Sequence, residues 1–269
     1  MKKILSFEWY RAIHSKSFSI AILIGVVCAF SQAIHYMSSG IVQIFSVDSD
    51  YPMVCWLSYL GRDIQLFYHS LYYMLFPILV VVPYAQSYYE DIKSGMSKMV
   101  FIKVRRTQYA ISKYLVAFLT GGIVMTIPLI ISLFIHAGFV PLYPPSEFSL
   151  QAVAQDGDML CNIFYDKPFL YVIVFWIINF LVGGSITGIT LCYSLFAKMK
   201  YSVYTFGFVF CLLENSILSQ FGYADWALYN IADPTNVPIS GWHVIIKLFV
   251  IYLLSFGLFV YIVKKKDVY

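Results

Sequence analysis

Glu214 and Lys247 each fall inside a long apolar run of the sequence. Each lies about one to one and a half turns from the end of its run, so at 1.5 Å rise per residue they sit at roughly similar depth. A lone charge within a membrane is costly and usually pairs or faces water. Glu214 and Lys247 are therefore expected to form an intramembrane polar pair or to line a polar cavity; the alternative is a Lys247 that snorkels to the headgroups. A second charged feature lies between apolar runs: the acidic pair Glu90–Asp91, then Gly95, then Lys98, Arg105 and Arg106. Met96, Met99, Val100 and Ile102 alternate loosely with the basic residues, which fits either a short amphipathic helix or a basic loop that only fixes orientation. The five histidines (His14, His35, His69, His136 and His243) are scattered, and none pairs with another ligand at helical spacing, so no metal site is expected. Of the five cysteines, Cys28, Cys192 and Cys211 fall in apolar runs, while Cys55 and Cys161 lie in polar connections, either bridged as a disulfide or as two thiols. No GxxxxGK[ST], HExxH or GxSxG motif is present, so neither a P-loop nor a zinc-protease or serine-hydrolase site is encoded. The chain is expected not to be an enzyme.

The elements that hold these residues are dictated by composition. Of 269 residues, 60% are hydrophobic and only 12% charged, with mean hydropathy +0.75. A soluble domain carries about 25% charged residues. Crossing a bilayer takes about 20 mostly apolar residues, and six runs qualify: 18–37, 66–84, 114–139, 169–197, 201–218 and 242–263. The expected fold is a single all-α transmembrane domain spanning residues 1–269.

Lysine and arginine set its orientation. With the N-terminus inside, 15 of the 18 basic residues fall on the cytoplasmic side, leaving Arg62, Lys167 and Lys247. Asp48, Asp50, Asp63, Glu147, Asp156, Asp158, Asp166, Asp225 and Asp233 fall outside. Both termini are expected in the cytoplasm, as an even span count requires. The net charge of +4 then reflects orientation near anionic headgroups and not nucleic-acid binding.

Residues 1–17 mix Ile4, Leu5, Phe7, Trp9 and Tyr10 with Lys2, Lys3, Glu8 and Arg11, which suits an interfacial helix ahead of the first span. Residues 223–232, ahead of Pro234, are too aromatic for a water-exposed loop and are expected to form a short re-entrant or interfacial helix. Gly183, Gly184 and Gly188 mark the fourth span, with Gly184 and Gly188 on one stripe, for close helix packing within the chain or, as the alternative, at a subunit interface.

This pattern resembles the permease subunit of type-2 ABC exporters, most of all the bacteriocin- and lantibiotic-immunity branch. The resemblance lies in the topology, and locally in Glu90–Asp91, Gly95, Lys98, Arg105–Arg106 and Lys113 within segment 85–113. It implies that this segment carries a cytoplasmic coupling helix, with Glu90, Asp91, Gly95, Lys98, Arg105 and Arg106 engaging a separate ATP-binding cassette ATPase. ATP and magnesium would bind that partner and no cofactor would bind this chain. A second permease, identical or related, would complete the path in the plasma membrane of a bacterium. The cargo would be a hydrophobic or amphipathic compound or peptide, as in antimicrobial-peptide immunity. The other classes left open are a non-transporting scaffold or sensor partner, and a secondary transporter.

Overall fold

Within a bilayer the backbone has no water to bond, so an apolar chain closes its own hydrogen bonds as helix. The computed structural model describes residues 2–38, 67–139, 142, 160–233 and 241–265, and among these it is helical with no strand. In chain order the helices are α1 (Lys2–Ile13), α2 (Lys16–Ser38), α3 (Phe67–Val81), α4 (Ser87–Lys93), α5 (Met96–Lys103), α6 (Arg106–Ala137), α7 (Cys161–Asp166), α8 (Pro168–Tyr193), α9 (Lys200–Gln220), α10 (Leu228–Ala232) and α11 (Gly241–Lys265). A single 3₁₀ turn, Ala224–Trp226, precedes α10.

Five of these helices are long and apolar enough to cross a membrane: Lys16–His35, Arg106–Ala137, Pro168–Tyr193, Lys200–Gln220 and His243–Lys265. The expected span 66–84 is a shorter helix among the described residues. Its 15 residues reach about 22 Å, against a hydrocarbon core of about 30 Å. Its end at Val81, short of residue 84, has a local cause. Pro83 supplies no N–H, and the chain passes through turns over 82–86 before α4 begins. The direction is nevertheless kept, because Val82 and Ala85 donate to the carbonyls of Ile78 and Val81 at 3.1 Å each.

Helix α6 is the central post. Its 32 residues extend about 48 Å, so one end must project beyond the hydrocarbon. Against α8 the two backbones meet at Gly121 and Gly183. A Cβ on Gly121 would lie 2.0 Å from Thr187 Oγ1 and 2.7 Å from the Gly183 carbonyl oxygen. The stripe expected at Gly184 and Gly188 is used differently: it receives the rings of Phe118 and Tyr114 from α6. On the other flank, Gly25 of α2 accommodates the Pro128 ring, 2.5 Å from where a Cβ would stand.

One buried cluster joins Ile4, Ala12, Tyr84, Tyr88, Tyr109, Leu195, Phe259 and Val263. It places α1, α4, the start of α6 and the ends of α8 and α11 at one end of the bundle. Arg62 and Lys266 lie outside the described residues; all the other basic residues except Lys167 and Lys247 belong to segments at that end. The opposite end gathers Phe164, Tyr171, Leu228, Ile231 and Val244.

Candidate functional site

The basic end contains a water-free group of charges drawn from three helices. Glu8 and Arg11 stand three apart on α1 and therefore share a face. Helix α4 supplies Asp91. The projecting first turns of α6 supply Tyr109 and Lys113, four apart on one face, and the turn before α4 supplies Tyr84. Asp91 Oδ1 accepts from Arg11 Nη2 at 2.6 Å. Its Oδ2 accepts from both Tyr109 and Lys113. Glu8 Oε2 accepts from the Tyr84 hydroxyl and from Lys113 Nζ at 3.4 Å, with Arg11 Nη1 at 3.8 Å. The Lys113 ammonium is also sandwiched between rings, 5.4 Å from that of Tyr84 and 5.2 Å from that of Tyr109.

Two carboxylates and two cations make the group neutral. Its burial is nearly complete: the side chains of Glu8 and Asp91 are 1% exposed and that of Lys113 0%. Burial alone would raise the Asp91 carboxyl, but Lys113, Arg11 and Tyr109 together outweigh it and hold Asp91 below the usual carboxylate range. Burial would likewise lower Arg11, and the hydrogen bond and charge of Asp91 reverse that, so its guanidinium stays charged. Such a group costs desolvation, which its ion pairs offset only in part, since Glu8 Oε1 is buried without a hydrogen-bond partner among the described residues. It fastens α1, and with it the entry to α2, to both α4 and α6.

The residues expected to couple to a partner divide among different tasks. Asp91 faces inward and is part of this network, out of reach of any docking surface. Glu90 is half-buried and pairs with Lys200 at 2.5 Å, tying α4 to α9. Gly95 sits between α4 and α5 at φ +74°, in the left-handed region, with open space where a Cβ would be. Helix α5 buries only Ser97. Lys98 and Lys103 are exposed, as are Met99 (73%) and Ile102 (84%). Arg105 is exposed at the turn into α6, and the Arg106 guanidinium lies over the Phe101 ring at 5.5 Å. Phe101 in turn packs edge-on against Tyr109 at 5.3 Å, which joins the exposed helix to the buried network through one ring.

Glu8 was not among the candidates that residue type and spacing suggest, although it is the only acidic residue before Asp48 and is surrounded by Lys2, Lys3, Arg11 and Lys16. That isolation is the signal that could have found it. Lys113 carries a similar signal, as a charge at the very edge of a long apolar run.

At the opposite end the structure brings Glu214 and Lys247 together. Lys247 Nζ donates to Glu214 Oε1 and to the Trp226 carbonyl. Glu214 Oε2 accepts the Leu228 N–H at 3.2 Å. The pair thus holds the 3₁₀ turn and α10 between α9 and α11, beside a cleft of about 520 Å³ lined by Phe210, Leu213 and Ile217. The expected Cys55–Cys161 bridge lies outside the described residues, because Cys55 does. No family model, curated protein or solved structure matches this chain.

Proposed function

We propose that this chain is the six-span transmembrane subunit of an ATP-driven exporter, energised by a separate ATP-binding cassette ATPase. In this account α3 with the turns that follow it forms the second span, and the basic end faces the cytoplasm. The cargo is a hydrophobic or amphipathic compound or peptide, the class implied by resemblance to immunity permeases, and a second permease completes the path.

The observation that carries the proposal is α5. Helix α5 is two turns long, with Met99 and Ile102 exposed and outward, a surface suited to a partner. Its only buried residue is Ser97, yet Phe101 joins it to a network that grips α1, α4 and α6. A force applied at α5 is thereby delivered to the spans on both sides. The test is co-purification from native membranes with a P-loop ATPase, followed by hydrolysis measured in lipid. Met99→Glu with Ile102→Glu should abolish that association while the chain still inserts. Recovery of the intact assembly without any ATPase overturns the proposal.

A further inference from the structure

We infer that the cleft between α4 and the start of α9 binds the headgroup of an anionic phospholipid from the leaflet that meets the basic end. The cleft measures about 660 Å³ and is lined by Tyr89, Glu90, Lys93, Lys198, Lys200 and Tyr201, among others. It has three ammonium groups and one carboxylate. Glu90 is neutralised by Lys200 at 2.5 Å. Neither Lys93 nor Lys198 forms an ion pair with a carboxylate among the described residues. Lys93 Nζ donates to the Tyr89 hydroxyl at 2.9 Å, and that hydroxyl donates to the Lys198 carbonyl at 3.1 Å. The relay ties the Lys93 ammonium, through Tyr89, to the backbone at Lys198 on the opposite wall. An ammonium has three donors, so Lys93 retains two for a ligand.

The surroundings select a lipid over a soluble anion. Lys200 opens a spanning helix, so the cleft lies at headgroup depth, where basic pockets between helices recognise anionic lipids. Met199 and Tyr201 at its rim are 69% and 79% exposed. From there the exposed Val209 and Leu212 continue an apolar track up α9. A cationic foot beneath an apolar face matches a molecule with a phosphate at one end and acyl chain at the other. The inference requires only that the chain crosses a bilayer; it stands apart from the transport proposal.

The full chain in detergent would be titrated with dioctanoyl-phosphatidylglycerol and with dioctanoyl-phosphatidylcholine, binding being counted by native mass spectrometry. Phosphatidylglycerol should bind preferentially. The preference should fall about fivefold for Lys93→Gln or Lys198→Gln and about thirtyfold for both together. The double variant Lys93→Arg with Lys198→Arg should keep it, which separates lost charge from lost fold. Lys2→Gln with Lys3→Gln, equally basic and at the same end, should also keep it. Equal binding of the two lipids, an equal loss in the Lys2 and Lys3 variant, or displacement of phosphatidylglycerol by inorganic phosphate at similar concentration would overturn the assignment.

Discussion

Lys113 serves two carboxylates at once, and this makes it the residue on which the network turns. Truncating one partner of a buried pair strands the other charge, at a cost of about 3–5 kcal/mol. Lys113→Met should lower stability on that scale in thermal unfolding, and adding Glu8→Gln should return part of it by removing one stranded charge. Unchanged unfolding of Lys113→Met would show that water reaches the site. The pH response follows from Asp91, whose folded pKa lies below the unfolded value of about 3.9. A depressed carboxyl contributes fully above its unfolded pKa and loses the contribution as pH falls through the folded one. The stability gap between the parent chain and Asp91→Asn should therefore be constant from pH 8 to 5 and narrow only below about 4. Narrowing already between pH 7 and 5.5 would contradict this sign. Residue types alone pointed to Asp91 but toward the wrong surface. Charge says that a carboxylate needs a partner; only the packing of Ala12 and Ile4, which turns α1 face-inward, says that the partner is internal.

Element by element, helical spacing predicts existence better than contact. Hydropathy locates α2, α6, α8, α9 and α11 because each must span an apolar layer. The glycines of α8 mark its closely packed stretch, but sequence does not say which of them meets backbone and which a ring, because that depends on the facing residues of α6. Gly121 and Gly183 form the crossing, whereas Gly184 and Gly188 receive rings. Gly121→Val should accordingly wedge the two helices apart and sharply reduce the monodisperse fraction in size-exclusion chromatography. Gly257→Val, where nothing lies within 4 Å of the added Cβ, should leave it intact, and equal behaviour of the two would remove the crossing from the account. Gly95 offers the converse case, space without conformational freedom. At φ +74° an alanine pays about 1–2 kcal/mol in the left-handed region. Gly95→Ala should lower stability on that scale in thermal unfolding, and under the exporter proposal it should also reduce ATPase stimulation by tilting α5.

On the scale of the whole molecule, charge is partitioned between two ends that are built differently. The basic end locks three helices around a dry, fourfold-charged centre. The other end ties α9, α11 and the short segment between them through the Glu214–Lys247 pair and through His243 of α11, which lies 3.5 Å from Asp225 and stacks on Trp226. Sequence shows the partition because topology leaves its record in lysine and arginine; the clamp stays hidden because residues 80 to 105 positions apart must meet to form it. The partition predicts the sidedness of the described segments, and the prediction can be checked directly. In a background with the native cysteines replaced by serine, Lys103→Cys and Lys264→Cys should resist a membrane-impermeant maleimide in intact cells and react after permeabilisation. Lys167→Cys, at the opposite end, should react in intact cells. Labelling of Lys103→Cys from outside would place α5 beyond the reach of any cytoplasmic ATPase, and the exporter proposal would fall with it.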